Sequence, residues 1–432
     1  MILKNNLIIY QSNKNIDLPD RFKNSIIYKI GSGKINNLKI KNVNNDSELN
    51  NLAEFYRDDY VDWIYEQNKL FLQNKIIFKK ASLFFYTDFS AKRTELSNTF
   101  NYFINTKQIE KILLKNEIEK ITFIDCDKNL ISMINSIDSV SRFEILRVKK
   151  NKFEFLFIKT LIYFFKAFLI ALKNSFRRIK HYGNESKIFI SRYPLHFTRS
   201  SNEEIHEDKY MSMVDSDQKY AVSILTDDFH QKVSILNYFK LEKELDEKRF
   251  YLMDKHISLI NVLFIIITSL KIYLRWNKLY KNQFIFSSIL MTDSIKYDLN
   301  FSFHRVIRLI LLYESTKNFF SKINVDKVIY YLHEYPYGRM ITAVLKKLSI
   351  DHTAIQHGPS SHRKLVYFLS NKETDQNGNL YNSVPLPNQV LAEDTHSMNI
   401  YNYSKYKNVQ VMKKIYRLDY LSKIKIKNKS FV

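Results

Sequence analysis

The sequence predicts an α/β protein with mostly parallel sheets, arranged in more than one domain. Short β-type runs recur between longer helical periodicities, and strands that alternate with helices build parallel sheets covered by helices. The chain has 432 residues, beyond the size at which one hydrophobic core stops growing, so two or three domains are expected. Hydrophobic residues make up 45% and aromatic residues 15%, enough apolar surface to fold against chain entropy.

In the first third, strands are expected at 7–10, 25–30, 83–86, 121–124 and 143–148, with a helix at 108–118 before the fourth. Residues 1–150 therefore form an N-terminal α/β domain. Residues 151–182 connect it to the next through a basic amphipathic helix at 153–180, whose apolar run is broken by Glu154, Lys159 and Lys166 and closes on Arg177, Arg178 and Lys180. Such a helix suits an anionic membrane surface. It equally suits an interdomain position with its cations at the C-terminus. A second series occupies 183–415, with strands at 187–191, 221–226, 249–253, 327–332, 352–356, 389–391 and 409–412. Its strong helices are expected at 258–280, read as buried, and at 301–322. Both domains are thus Rossmann-like. Residues 416–432 read as the start of a linker or of a truncated C-terminal domain.

Lys and Arg number 67 against 44 Asp and Glu, a formal net charge of +23. That balance favours anionic partners: phosphorylated substrates, nucleic acid or an acidic membrane. The crowding of Lys, Asn and Ile gives a second account, in which much of the charge sits on solvated faces. The basic residues are spread along the chain rather than gathered in a recognised module, so no specific nucleic-acid partner is expected. The GSGK at 31–34 lacks the flanking residues of a phosphate-binding loop. The single cysteine, Cys126, excludes an intrachain disulfide and a multi-thiolate metal site, which fits a reducing, cytoplasmic compartment. The N-terminal apolar run is too short for a signal peptide, and no stretch approaches the roughly 20 apolar residues of a membrane span.

Chemistry concentrates late in the chain. Of six Gly and six Pro in all, Gly338, Gly358, Gly378, Pro336, Pro359, Pro385 and Pro387 fall between 333 and 396, with His333, His352, His357, His362 and His396. Residues that permit unusual backbone geometry, gathered with the side chain that titrates near neutrality, suit a cleft of tight strand-to-helix loops. Residues 330–368 read as strand, loop 333–338, helix from about Arg339, strand to Gln356 and loop 357–363. In a parallel sheet both loops leave the carboxyl ends of strands, where ligands bind. Glu334, Arg339 and His357 are then expected on one rim. His357 can act as general base on an acceptor hydroxyl, and Glu334 as base or as orienting group. Arg339, Arg363 and Lys364 can hold a carboxylate or phosphate. Backbone N–H groups after Gly358, flanked by Gln356 and Ser360, extend that anion site. The plainer readings are a surface ion pair for Glu334 and Arg339, and simple hydrogen-bonded roles for His333, His352 and His396.

Five motifs carry a resemblance: TDFSAKRTE at 87–95, SRYPLHF at 191–197, LHEYPYGR at 332–339, IQHGPSSH at 355–362, and the run at 386–421. In these the chain resembles a family of bacterial surface carbohydrate biosynthesis proteins, glycosyltransferases of the two-Rossmann-domain GT-B type used for O-antigen and capsule. The resemblance implies metal-independent transfer of a sugar from a nucleotide-activated donor to a lipid-linked or polysaccharide acceptor. The nucleotide-sugar is a co-substrate, no other cofactor is implied, and the protein would sit peripherally on the inner face of the plasma membrane. It adds Arg192 and His196 to the substrate-binding candidates. It also implies a second nucleotide-binding lobe, which is expected to be missing here. A histidine followed by glycine in a comparable loop acts as base in glycerophosphotransferases of teichoic acid synthesis. That likeness supports His357 and keeps polyol-phosphate transfer as the alternative chemistry; a non-catalytic membrane-associated or nucleic-acid-binding basic protein is the remaining reading.

Overall fold

The computed structural model describes residues 6–36, 41–94, 96–137, 142–148, 156–177, 183–191, 219–225, 234–246, 250–374, 379–413 and 415. Strands come first. The N-terminal part contains β1 (Asn6–Gln11), β2 (Ile26–Ile30) and β3 (Lys41–Asn42), the hairpin strands β4 (Ile77–Phe78) and β5 (Ala81–Ser82), then β6 (Lys120–Cys126) and β7 (Phe143–Val148). The remainder contains β8 (Asn184–Ser191), β9 (Lys219–Val222), β10 (Phe250–Leu252), the hairpin strands β11 (Ile285–Phe286) and β12 (Ile289–Leu290), β13 (Asn324–Tyr331), β14 (Asp351–Ile355), β15 (Gln389–Ala392) and β16 (Val409–Val411). Apart from the two hairpins, they form two wholly parallel sheets, β3-β2-β1-β6-β7 and β10-β9-β8-β13-β14-β15-β16. The architecture is α/β and Rossmann-like, as the sequence predicts.

Both sheets are doubly wound. Each grows from its first strand to one edge, then returns and extends on the other side, so strand order reverses between β1 and β6 and again between β8 and β13. Ligands of such sheets bind outside the carboxyl ends of the strands at that reversal. The register makes those ends nearly flush in the second sheet: Ile190 pairs with Tyr330, Tyr331 with Ile355, and Ile355 with Leu391. Strands buried on both faces read as unbroken apolar runs. In β1, Leu7 and Ile9 enter the main core, while Ile8 and Tyr10 point the other way into a smaller cluster with Leu18, Phe22, Ile27 and Ile124.

The helices are α1 (Asp46–Glu66), α2 (Asn68–Gln73), α3 (Thr99–Lys115), α4 (Lys128–Asn135), α5 (Leu156–Ser175), α6 (Ile235–Asp246), α7 (Leu259–Trp276), α8 (Thr292–Phe320), α9 (Pro336–Lys347) and α10 (Thr395–Tyr403). Side-chain caps fix several starts: Asn45 accepts from the Glu48 N–H, Asp127 from Asn129, and Ser258 forms a capping box with Asn261. Two helices begin well before the expected positions. The first turns of α3 and α8 hold each other, because Ser97 and Thr99 donate their hydroxyls to Asp298. Polar residues here are buried by pairing, so they leave no apolar periodicity to read.

Residues 83–86, expected as a strand, form a buried 3-10 turn, LFFY, with all four side chains enclosed. The turn belongs to a longer excursion, residues 68–94, that leaves the first sheet and packs on the second part of the chain. Ser82 N–H donates to Leu380 O, the Asn68 amide donates to Tyr381 O, and Phe71 meets Trp276 edge to face at 5.3 Å. One continuous hydrophobic core therefore runs through both sheets.

The helix expected to be buried at 258–280 is instead one-sided. In α7, Val262, Ile265, Ile272 and Trp276 face inward, while Ile260, Leu263, Ile267, Leu270 and Leu274 are all more than half exposed. Helix α5 packs beside it and turns Ile158, Leu161, Ile162 and Phe165 outward in the same way. Residues Leu259–Lys281 are long and apolar enough to cross a membrane by length and composition, with 28% of the most apolar stretch buried. This corrects the expectation that no stretch reaches that length.

Candidate active site

At the carboxyl end of β13 the chain turns sharply. Leu332 takes a left-handed conformation, φ +62°, and its carbonyl accepts from the Tyr335 N–H, which brings His333 and Glu334 into the interior. Left-handed backbone is uncommon for a non-glycine residue and costs free energy that the surroundings must supply. Pro336 then starts α9 with its fixed φ, earlier than the expected start at Arg339. Gly338 is required at the third position of that helix. A Cβ there would lie 2.1 Å from Leu332 O and 2.5 Å from His333 Cα, both backbone atoms. Gly338→Ala is accordingly expected to destabilise the fold by about 3 kcal/mol, read as a lower urea midpoint at unchanged slope; an unaltered midpoint would show that the turn relaxes freely.

Glu334 and Arg339 lie beneath the rim rather than on it, and they are no surface ion pair. Each is 1% exposed. Glu334 accepts a hydrogen bond from the Tyr401 hydroxyl through Oε1, and Oε2 sits 3.6 Å from His333 Nδ1. His333 is itself enclosed, stacked on Tyr401, and burial pushes its pKa below the usual value, the adjacent Glu334 opposing in part. Arg339 donates through Nη1 to Phe85 O at 3.1 Å and to Ser90 Oγ at 3.0 Å. It is thus tied to the N-terminal part of the chain and is not presented to solvent as an anion clamp.

A second buried pair completes this cluster. Lys92 Nζ donates to Glu373 Oε1 at 3.1 Å and to Ser90 O at 3.0 Å, and both side chains of the pair are wholly enclosed. Burial holds the Lys92 pKa down, opposed mainly by Glu373, and Glu373 is also the principal charge supporting Arg339. Nearby, Asp88 accepts from Arg93 and Arg305, and the Arg93 guanidinium stacks over Tyr335 at 4.2 Å. Arg339 Nη2, Glu334 Oε2 and Glu373 Oε2 make no hydrogen bond among the described residues. The TDFSAKR segment at 87–93 is therefore the partner of the 332–339 turn. Lys92, Glu373, Asp88, Arg305 and Tyr401 were not among the expected site residues. The signal available in the sequence was charge inside an apolar setting: Asp88, Lys92 and Arg93 interrupt a run rich in Phe and Ala.

The loop after β14 is built differently. Gln356 is buried and structural: its amide donates to Gly358 O and Ser397 Oγ, and its carbonyl accepts from the Glu393 N–H. Ser360 shares a hydrogen bond with Ser397, which fastens this loop to the start of α10. Gly358 adopts φ +91°, a conformation open to glycine at little cost, and its carbonyl accepts from the Tyr367 hydroxyl. His357 is half-buried and stacks on Tyr331, ring centroids 5.2 Å apart. Arg363 is exposed; Lys364 lies over Tyr367 at 5.3 Å. His362 meets Arg57 of α1 at 3.1 Å, so the N-terminal part reaches this loop as well. His352 is buried in β14 and held by Ile350 O.

The carboxyl ends of β13, β14 and β15 thus converge, joined by Gln356, with His357 at the surface and the charged cluster below. Motif SRYPLHF begins at the last residue of β8, the strand on the other side of the order reversal; Arg192 and His196 lie outside the described residues. Chemically, the arrangement offers an accessible imidazole, cations on the loop that follows it, and a preorganised interior charge network. Comparison with protein-family models, with curated proteins and with solved structures gives no match.

Proposed function

We propose that the chain is a glycosyltransferase of surface polysaccharide synthesis, transferring a sugar from a nucleotide-activated donor to a lipid-linked or glycan acceptor. The observation that carries this reading is the meeting of the 332–339 and 355–362 motifs at adjacent carboxyl strand ends beside the order reversal of a doubly wound sheet. In this proposal His357 takes the proton of the acceptor hydroxyl. The freed oxygen attacks the anomeric carbon, the bond from that carbon to the phosphate oxygen breaks, and the nucleotide leaves with the electron pair. Arg363, Lys364 and the N–H groups after Gly358 meet the leaving phosphate. Glu334, held by Tyr401 and enclosed, is a positioning residue for the turn rather than the base.

The test is a panel of nucleoside-diphosphate sugars incubated with the full chain and a bacterial membrane extract as acceptor. Acceptor-dependent release of nucleotide from at least one donor is expected. No turnover of any sugar donor, alongside turnover of a cytidine-diphosphate polyol, would replace this proposal with polyol-phosphate transfer; no turnover of either would remove the enzyme reading.

A further inference from the structure

A cavity of about 630 Å³ lies against α9, lined by Met340, Ala343, Lys346 and Lys347 of that helix. Its floor is apolar, formed by Met340, Ala343, Leu380, Val384 and Leu386, with Phe78, Tyr86 and Tyr313 on the wall. Its rim carries six lysines, Lys79, Lys80, Lys346, Lys347, Lys405 and Lys407, and among the described residues no acidic side chain lines it. The volume falls in the range of small-molecule sites. We infer that this cavity binds the phosphate head of an anionic lipid, whose hydrocarbon runs out over the exposed face of α7.

Two observations support the anionic head and a third the hydrocarbon. Six ammonium groups around one concavity repel one another, and a bound polyanion would relieve that repulsion. Lys346 is the most telling member: its pKa is lowered by burial and then by Lys407, which places a second cation close to it on the same rim. The backbone supplies the second argument. Lys79 and Lys80 are the two central residues of the β4–β5 hairpin, at φ +47° and +66°, and Lys405 follows α10 at φ +59°. Such positions favour glycine or asparagine. Three of the six lysines thus occupy places where local backbone preference works against them, as it also does at Lys75 and Lys92 outside the cavity. Lys79 also approaches Glu314 at 3.5 Å, at one edge of the ring.

The third concerns the tail. Lys79 lies 5.2 Å from the ring of Phe264, and Phe78 lies 6.5 Å from it. Phe264 is 41% exposed on the outward stripe of α7, so the edge of the cavity at Phe78 and Lys79 adjoins the apolar face of that helix. Exposed apolar surface on this scale marks an interaction site, and the net charge of +23 complements an anionic bilayer. An occupant with phosphate at one end and hydrocarbon at the other satisfies the ring, the floor and the stripe together. This inference stands apart from the transferase proposal, since none of the residues lining the cavity has a role in that proposal.

The experiment measures partitioning of the full chain onto phosphatidylcholine vesicles with and without 10 mol% phosphatidic acid. Calorimetric titration with decyl phosphate and with inorganic phosphate accompanies it. Phosphatidic acid is expected to raise partitioning at least tenfold, and decyl phosphate to bind at least tenfold tighter than inorganic phosphate. The pair Lys346→Gln and Lys407→Gln should abolish both gains while residual binding to neutral vesicles persists. Leu263→Gln with Leu270→Gln should weaken binding to both kinds of vesicle. Unfolding midpoints of each variant confirm that it folds; if the Lys346 change prevents folding, Lys80→Gln with Lys347→Gln takes its place. Equal affinity for inorganic and decyl phosphate would make this a free-phosphate site and overturn the lipid assignment. Wild-type binding by the lysine variants, or no preference for phosphatidic acid, would overturn the cavity as the site.

Discussion

Replacing Lys92 by Met is expected to lower the unfolding free energy by about 3 kcal/mol, measured as a fall in urea midpoint at unchanged slope. The Lys92 ammonium and Glu373 carboxylate are both fully enclosed, 3.1 Å apart. Removing the cation strands a carboxylate in the interior, and a buried charge without its partner costs several kcal/mol. The lower end of that range applies because Arg339 stays close and continues to oppose the Glu373 charge. The companion variant, Lys92→Met with Glu373→Leu, removes both charges and should recover most of the loss, since apolar replacement of a buried pair is often nearly neutral. A single variant as stable as the parent would show that the pair is solvated in solution.

Activity should respond most to His357. With an acceptor-dependent assay in hand, His357→Ala is expected to reduce turnover by roughly 10²–10⁴-fold, the usual contribution of a general base. Its unfolding midpoint is to be measured alongside, because the half-buried ring also stacks on Tyr331. His357→Gln keeps much of the stacking area without the basic nitrogen, so it should be as inactive as the alanine variant. Turnover within twofold of the parent in both variants, at equal unfolding midpoints, would take His357 out of the proposed mechanism.

The sequence carried the strand pattern well, because a fully buried parallel strand is a short apolar run with turn residues on either side. It failed where burial came from elsewhere. The LFFY turn is apolar in four successive positions, a pattern that a two-residue period and a tight helical turn share. The first two turns of α8, TDSIKYDL, look solvent-facing until Asp298 is seen to accept from Ser97 and Thr99, some two hundred residues earlier. Helix α7 erred in the opposite sense: its apolar residues suggested enclosure on all sides, but half of them face outward. In the site, the grouping of His, Gly and Pro located the strand-end loops. The charges that stabilise the turn at Glu334 could not be found that way, since Lys92 and Glu373 are 281 positions apart and only the folded chain makes them neighbours.

The excursion at 68–94 governs how this molecule can move. Hinge bending between two lobes needs a boundary crossed by few contacts, so that one body swings while the other stays still. Here the link passes through the interior: Phe85 and Ser90 hold Arg339, Lys92 holds Glu373, and Phe71 is packed on Trp276. Swinging one sheet away from the other would expose charged groups that now neutralise one another, at a cost comparable to much of the stability of a domain. The excursion and the second sheet are accordingly expected to move as one body.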